Sequence, residues 1–417
     1  MELRRVVVTG LGAITPIGNN LGDYWEALLN GVSGSALITR FDVSKFKSKF
    51  ACEVKNYDSN SYFDRKEARK LDLYAQYALV AAQEAYTDSG IDIALIDPNK
   101  AGVIWGSGIG GLDTFTDEIL DFAKGDGTPR FNPFFIPKMI ADIAGGNISI
   151  KFGFKGPNYT TTSACASSSN AIIDAFNCIR LGKAHVIISG GSEAAIGIGG
   201  LGGFNAMHAV STRNDDPATA SRPFDKDRDG FVLGEGSGAL VLEELGHALK
   251  RGAKIYCEVA GGGLSADAYH ITQPHPEGDG AYRVMLNALE DAEMKPEDID
   301  YINTHGTSTP LGDASETKAI LAAFGDHAYK MNISSTKSMT GHLLGAAGAI
   351  ESIASIMAIK HNVIPPTINH FTDDPELDNR INYTFNKLQE RTVNVALCNT
   401  FGFGGHNATI IFKKYNG

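Results

Sequence analysis

The chain has 417 residues, 43% of them hydrophobic and 20% charged, which is enough apolar sequence for two fused core units and excludes intrinsic disorder. Acidic residues number 48 against 37 lysines and arginines, and the net charge of -11 argues against a general nucleic-acid-binding protein. The five cysteines are widely spaced, with no CxxC pair, and fit neither a disulfide framework nor a zinc site. We therefore expect a reducing, cytoplasmic environment.

The N-terminal segment predicts the start of an α/β fold. Arg5-Val-Val-Val-Thr-Gly10 is typical of a buried strand, and a glycine-rich turn and a helix over 24–29 follow it. The segment lacks the apolar run of a signal peptide, and no apolar run is long enough to span a bilayer. We expect no membrane association.

The same order of elements recurs along the chain. A charged patch at 65–70 begins a predicted helix that continues to residue 85, and strands are predicted at 101–106 and 184–190. Near residue 251 the pattern starts again, with a strand at 255–259, a helix at 280–292 and a strand at 299–303. We therefore divide the chain into an N-terminal half, 1–254, and a C-terminal half, 255–417.

A lone cysteine, Cys165, lies where small polar residues give way to an apolar pattern of helical spacing. The preceding Ser and Thr residues are candidates for capping that helix. A thiol at a helix N-terminus faces unpaired N–H groups and the positive end of the helix dipole, and both favour the thiolate. Cys165 is therefore a candidate nucleophile, with a buried structural cysteine as the alternative.

A second helix rich in small residues follows His342 and mirrors the first. Asp174 lies nine residues after Cys165, and Glu351 lies nine residues after His342. This likeness predicts an internal duplication, in which two α/β halves pack these helices together and open their N-termini into one cleft.

Three more reactive side chains end predicted strands or begin predicted helices: His305, Lys337 and His342. Such groups collect at the carboxyl ends of strands in α/β proteins. A thiolate, two imidazoles and an ammonium group in one cleft suit covalent acyl transfer and stabilisation of a developing enolate. Taken singly, each has a simpler explanation as a hydrogen-bonded structural histidine or a surface lysine. The glycine run at 106–111 lacks the spacing of a dinucleotide site, so we expect no nucleotide there. The acidic loop at 221–236 lacks a calcium-ligand pattern, so we expect no metal.

Three longer motifs resemble those of the elongating β-ketoacyl-acyl carrier protein synthases, in particular the synthase II branch of type II fatty acid synthesis. The motifs begin at His305, Ser334 and Asn399, and matching segments cover essentially the whole chain. The resemblance implies a thiolase-like fold of two duplicated βαβαβαββ halves in a five-layered α-β-α-β-α arrangement. It also implies a homodimer that works with acyl carrier protein and needs no cofactor beyond the phosphopantetheine on that substrate.

The resemblance also implies roles for five side chains. Cys165 would hold the growing acyl chain as a thioester. His305 and His342 would activate malonyl-carrier protein for decarboxylation and stabilise the enolate oxygen. Lys337 would support the histidines electrostatically, with Glu351 as its partner.

Further roles follow from the same resemblance. The backbone N–H groups of Cys165 and Phe401 would form the oxyanion hole, with Phe401 as a gate. The remaining expected residues are Thr307 and Thr309 on the phosphopantetheine arm, Gly402 beside the substrate, Ile109, Phe134 and Phe204 as acyl-pocket walls, and Lys66, Arg69, Lys70 and Arg213 as a docking face for the carrier protein. A solvated helix face is the alternative for that last group. His208 stands where synthase II proteins often have arginine, so the resemblance does not define the docking contacts there.

Several alternatives share parts of this pattern. A specialised polyketide or polyene ketosynthase would keep the same reactive residues and change the pocket lining. A catalytically silent chain-length partner would lack the nucleophile, whereas Cys165 is present. A biosynthetic thiolase needs a second cysteine in a pattern that Cys398 does not match, and a synthase III enzyme would have asparagine in place of His342.

Overall fold

One large mixed sheet runs through residues 3–417, the part of the chain that the computed structural model describes. Its strands are β1 Val6–Ile14, β2 Ala101–Gly106, β3 Asn158–Thr161, β4 Val186–Glu193, β5 Gly236–Glu244, β6 Cys257–Ala266, β7 Tyr301–Asn303, β8 Asn332–Ser334, β9 Val395–Gly402 and β10 His406–Lys413. They lie in the order β8-β7-β9-β10-β6-β1-β5-β4-β2-β3. Two short antiparallel pairs lie apart from it, Ala36–Leu37 with Phe50–Ala51 and Val363–Ile364 with Gln389–Glu390.

The strand order shows the duplication directly. The first half is ordered β3-β2-β4-β5-β1 and the second β8-β7-β9-β10-β6, so each strand of one half has its counterpart five strands later. The parallel and antiparallel pairings also correspond: β2 is parallel to β3 and β4, and β7 is parallel to β8 and β9. The halves join where Val6 to Val8 of β1 pair antiparallel with residues 257–259 of β6.

Helices cover and separate the two halves of the sheet. In chain order they are α1 Leu21–Leu29, α2 Arg65–Ala68, α3 Leu73–Ser89, α4 Leu112–Lys124, α5 Phe135–Met139, α6 Ile143–Phe152, α7 Ser167–Arg180, α8 Ile198–Ala206, α9 Leu245–Lys250, α10 Asp279–Asp291, α11 Pro310–Phe324, α12 Lys337–Thr340 and α13 Ala347–His361. None of those in residues 3–417 combines the length and apolar character that a bilayer crossing requires.

The buried clusters follow the five predicted layers. Helices α3 and α6 pack with Val103 and Trp105 on one outer face, and α10 and α11 pack with Ile302 and Ile333 on the other. Between the two half-sheets, α7 and α13 share the central cluster. Small residues permit their close approach, because a Cβ at Gly348 would lie 2.1 Å from the hydroxyl oxygen of Ser169. The expected thiolase-like α-β-α-β-α architecture is confirmed.

The prediction of one helix from the charged patch to residue 85 is wrong. The chain forms α2 and then, after a break, α3, because the side chain of Asp72 accepts a hydrogen bond from the N–H of Tyr74 and caps a new helix there. Asp72 also accepts from the hydroxyl group of Thr114 at 2.5 Å, so the break fixes α3 against α4. The strand over 101–106 is as predicted, and the other predicted elements differ at their ends.

Candidate active site

Loops from both halves enclose a single cavity of about 540 Å³. Cys165 comes from the N-terminal half, while His305 and His342 come from the C-terminal half. Of the residues predicted from the sequence, the lining includes Ile109, Cys165, Phe204, His208, His305, Thr307, Thr309, His342, Phe401 and Gly402. The expectation that the starts of both small-residue helices open into one cleft is therefore met by the geometry.

Cys165 lies in the turn that precedes α7. Its neighbour Ala164 has φ of +50°, a left-handed conformation that costs energy for a residue with a Cβ and marks a sharply bent nucleophile turn. The Cys165 sulfur lies 3.0 Å from Nε2 of His342. The predicted side-chain cap is absent: α7 begins at Ser167 after Ala166, which makes no side-chain capping hydrogen bond.

The resting Cys165 side chain is a neutral thiol, contrary to the expected thiolate. Burial raises its pKa to about 12, and this effect outweighs the lowering by the Lys337 cation and by the Phe403 backbone N–H. The helix N-terminus alone therefore does not ionise the sulfur. A partner must take its proton during attack, and His342 is the imidazole in contact with it.

The side chains of His305 and His342 lie next to each other, and backbone hydrogen bonds fix the position of both residues. Their ring centroids lie 5.3 Å apart at an interplanar angle of 86°. The backbone N–H of His342 donates to the Val232 carbonyl oxygen at 2.7 Å, and the backbone N–H of His305 donates to Oε1 of Glu316 at 2.9 Å. Burial and then the Lys337 cation lower the pKa of both rings well below the usual value. Both are therefore neutral and can present an N–H to a developing negative charge.

Lys337 and Glu351 form a fully buried ion pair beneath the histidines. Lys337 begins α12 and Glu351 lies in the first turns of α13, and their side chains are in contact. Burial raises the pKa of Glu351 to about 7, against the opposing effect of Lys337. The expected pairing is present, and the cation lowers the pKa of both histidines as described above.

Phe401 and Phe403, both in the C-terminal glycine motif, line the cavity. The backbone N–H of Phe403 lowers the pKa of the Cys165 thiol. The assignment of the Phe401 N–H to the oxyanion hole stays a prediction. Phe401 is in β9, with its ring 5.6 Å from that of His305. Gly404 and Gly405, with φ of +87° and +73°, form the sharp turn that follows Phe403.

The expected pocket walls separate into two groups. Ile109 and Phe204 line the cavity. Phe134 does not line the cavity of this chain. Its ring is partly exposed and lies 5.4 Å from Nζ of Lys70.

Two threonines line the cavity on its C-terminal side. The hydroxyl oxygens of Thr307 and Thr309 lie 3.0 Å apart, within hydrogen-bonding reach of each other. Arg228 donates to the Thr309 carbonyl oxygen at 3.3 Å and to that of Pro310 at 3.0 Å, so the segment is anchored from behind. The threonine hydroxyls are thus available to amide groups of an extended ligand.

The basic residues chosen from the sequence are not equivalent. Lys66, Arg69 and Lys70 are exposed in and after α2. Arg213 is half-buried and donates from Nη2 to the Asp227 carbonyl oxygen at 2.8 Å, so part of its hydrogen-bonding capacity is already used within the chain.

Sequence reasoning missed two buried glutamates beside the site. Glu316 holds the backbone of His305, and Glu193 accepts hydrogen bonds from the Gly108 and Ile109 N–H groups at the cavity wall. Neither belongs to the motifs identified from the sequence, and the partners of Glu193 are also distant in sequence. Together with the thiol, the neutral imidazoles and the buried cation, they form a site able to hold an acyl group covalently and to stabilise an enolate.

Comparisons with known proteins agree with this chemistry. The family model for the β-ketoacyl synthase N-terminal domain matches residues 3–248, and the model for its C-terminal domain matches residues 256–371. A 3-oxoacyl-(acyl-carrier-protein) synthase 2 from Synechocystis is 52% identical over 100% of this chain and 99% of the relative.

Two solved structures superpose on almost the whole chain. The ishigamide ketosynthase/chain length factor has a TM-score of 0.92 and 34% identity, covering 99% of this chain and 100% of the other. A chain from the complex of a type II PKS acyl-carrier protein with its ketosynthase has a TM-score of 0.89 and 33% identity, with the same coverage.

Proposed function

The chain belongs to the β-ketoacyl synthase family, and we propose that it uses Cys165 to elongate acyl chains by two carbons taken from malonyl-acyl carrier protein. The contact of 3.0 Å between the Cys165 sulfur and Nε2 of His342, with His305 beside it, is the observation that carries this proposal. The enzyme is a condensing acyltransferase. It needs no cofactor of its own, because the carrier protein's phosphopantetheine thioester already activates the acyl group.

The first half-reaction moves the acyl group to the enzyme. The Cys165 sulfur attacks the thioester carbonyl, its proton passes to Nε2 of His342, and the carbonyl oxygen becomes an oxyanion. Collapse forms the enzyme thioester and breaks the bond to the pantetheine sulfur, which leaves as a thiol with the proton from His342. The backbone N–H groups of Cys165 and Phe401 are the proposed oxyanion-hole donors, and both residues line the cavity.

The second half-reaction joins the two carbon units. Malonyl-carrier protein loses carbon dioxide, and the electron pair of the broken bond gives an enolate on the thioester oxygen. His305 and His342 are neutral, so each can donate an N–H to that oxygen as its charge develops. The enolate carbon attacks the acyl carbonyl on Cys165, a carbon–carbon bond forms and the bond to the sulfur breaks. The Cys165 sulfur leaves as a thiolate and takes up a proton from water, which restores the neutral thiol. The product is a β-ketoacyl-carrier protein two carbons longer.

Acyl carrier protein is the proposed partner. The chain is similar to a ketosynthase that has been solved in complex with such a carrier protein. The exposed Lys66, Arg69 and Lys70 supply positive charge that suits an acidic protein surface. Thr307 and Thr309 line the cavity where the phosphopantetheine arm would enter. We assign Arg213 a lesser part in docking, because it bonds within the chain.

A homodimer is also proposed. The outer edge of β8 is covered by a bridge from Asn332 to Asn382, whereas within residues 3–417 no strand covers the outer edge of β3. Exposed apolar side chains lie on α4 and in the segment after it, namely Phe115, Ile119, Phe122, Phe131 and Phe134. An open edge and an exposed apolar patch favour pairing with a second copy.

We also propose the division of the chain into two halves and a cytoplasmic location. The gap between the two family models, residues 249–255, agrees with a division of the chain at 254/255. The five cysteines are free, as a cytoplasmic location would require.

The fatty-acid role is favoured over a polyketide role by similarity. Identity reaches 52% with a 3-oxoacyl-(acyl-carrier-protein) synthase 2, against 34% with the ishigamide ketosynthase/chain length factor. A silent partner is disfavoured because Cys165 lies in contact with His342.

Intact mass spectrometry tests the function. Wild-type enzyme and Cys165→Ala are incubated with a series of acyl-carrier proteins and then with malonyl-carrier protein. We expect acylation of the wild type alone and discharge into a β-ketoacyl product two carbons longer. Failure of every acyl donor to modify the wild type would contradict the proposed function.

A further inference from the structure

The side chain of Glu193, at the end of β4, is completely buried and accepts four hydrogen bonds. Oε2 accepts from the N–H of Gly108 at 2.8 Å and from that of Gly345 at 3.0 Å. Oε1 accepts from the N–H of Ile109 at 3.2 Å and from the hydroxyl group of Ser107 at 3.3 Å. Two backbone turns therefore share one carboxylate.

These turns come from opposite halves of the fold and lie on the cavity. Gly108 and Ile109 follow β2, while Gly345 lies three residues after His342. The turns are in direct contact, because a Cβ on Gly345 would lie 2.3 Å from the backbone nitrogen of Gly108. Side chains are thus excluded from this junction, and Glu193 supplies the acceptor that both turns share.

The donors around Glu193 are suited to an ionised carboxylate. They are three backbone N–H groups and one hydroxyl group, and all four lower its pKa, while burial raises it to about 7. No cationic side chain contributes a hydrogen bond. A buried carboxylate without an ion-pair partner is costly, and its retention needs a reason beyond packing.

We infer that Glu193 is a positioning residue that sets the acyl-chain selectivity of the enzyme by holding Ile109 in the wall of the cavity. The inference rests on the proposed function. Ile109 lines the cavity together with Cys165 and Phe204. On this proposal a long chain attached to Cys165 contacts Ile109, whereas a short chain does not reach it.

Replacement of Glu193 by Gln would keep the size and remove one of the two oxygen acceptors. The new NH₂ group would then face N–H or O–H donors whichever way the amide is turned. The Gly108–Ile109 turn would move towards the empty space beside it, which is the cavity. His342 would be affected less, because its backbone is held separately by Val232 and Gly234 at 2.7 and 2.9 Å.

The test compares acylation of Cys165 by butyryl- and palmitoyl-carrier protein in wild type, Glu193→Gln and the control Glu84→Gln. Glu84 also accepts two backbone N–H groups, from Ala13 and Leu21, both at 2.8 Å, but does not line the cavity. We expect Glu193→Gln to lower the palmitoyl rate at least fivefold and the butyryl rate less than twofold. Glu84→Gln should leave the ratio of the two rates unchanged.

The outcomes separate the two proposals. If neither donor acylates wild-type enzyme, the proposed function fails. If wild type is acylated and Glu193→Gln changes both rates equally, Glu193 is a structural residue only and the inference fails.

Hydrogen–deuterium exchange of the wild-type enzyme tests the same inference without a variant. Because Glu193 binds their N–H groups, the amides of Gly108 and Ile109 should exchange at least tenfold more slowly than those of the exposed residues 125–130. Equal exchange rates would also overturn it.

Discussion

Nε2 of His342 lies 3.0 Å from the sulfur of Cys165, although 177 positions separate the two residues in the chain. The contact exists because the duplicated helices α7 and α13 lie side by side in the central layer, each preceded by its own reactive residue. The duplication therefore does more than double the core. It brings a nucleophile from one half against a proton acceptor from the other, in a cavity that also shields both from water.

The pH dependence of Cys165 reactivity follows from its burial. Since its pKa is raised to about 12, the thiolate fraction increases tenfold for each unit by which the pH is raised, as long as the pH stays below the pKa. We expect the alkylation rate by iodoacetamide to increase about tenfold per unit from pH 7 to pH 9, without a plateau. Peptide mass spectrometry would separate this signal from the partly exposed Cys178. A plateau near pH 8 would show an activated resting thiolate instead.

Replacement of His305 should separate the two half-reactions. The Cys165 sulfur contacts His342, whereas the ring of His305 packs edge-on against that of His342. We expect His305→Asn to be acylated within about threefold of the wild-type rate, while condensation with malonyl-carrier protein falls by about 10²–10⁴-fold. Single-turnover mass spectrometry of each step gives both rates. Equal losses in the two steps would mean that His305 acts on the thiol as well.

The Lys337–Glu351 pair should affect stability in a pH-dependent way. Lys337→Met leaves a buried carboxylate without its cation and raises the pKa of Glu351 above its value of about 7. At pH 5 that carboxyl is protonated in the folded variant, so the variant loses little free energy of unfolding. As the pH rises above the ordinary pKa of glutamate, the unfolded chain releases the proton more readily than the folded variant does. The loss in free energy of unfolding should therefore approach ~3–5 kcal/mol at pH 8. Denaturant unfolding at the two pH values measures it.

The double variant Lys337→Met/Glu351→Gln is the matched control, because it removes both charges. We expect it to recover much of the stability at pH 8 and to lose the pH dependence. Equal destabilisation by Lys337→Met at pH 5 and pH 8 would contradict the role given to Glu351.

Charge reversal on the proposed docking surface should change substrate binding and leave the chemistry intact. We expect Lys66→Glu/Lys70→Glu to raise the KM for acyl-carrier protein about tenfold at low salt, with little change in kcat. A short pantetheine thioester should react at the wild-type rate. Lys250→Glu, an exposed change on α9, controls for the altered net charge. An unchanged KM would favour the alternative of a solvated helix face.

Residues in contiguous motifs can be predicted from the sequence, whereas properties that depend on segments distant in sequence cannot. Cys165, His305 and His342 were recognisable because each belongs to a contiguous motif, and all three line the cavity. The thiol pKa was mispredicted because a helix N-terminus is visible in the sequence, whereas burial by distant segments is not. Glu193 was missed for a similar reason. Its partners Gly108 and Gly345 lie 85 and 152 positions away, and only the duplicated fold brings them to one carboxylate.

The junction between Gly402 and the nucleophile turn gives the last prediction. A Cβ on Gly402 would lie 2.8 Å from the Ser163 carbonyl oxygen and 3.1 Å from the Cys165 nitrogen, one of the proposed oxyanion-hole donors. Gly402→Ala should therefore displace that N–H and slow acylation by about 10²-fold, the usual loss for one such donor. The control is Gly203→Ala, because nothing lies within 4 Å of a Cβ there. Acylation of Gly402→Ala within threefold of wild type, in a protein of unchanged melting temperature, would show that this N–H does not stabilise the oxyanion.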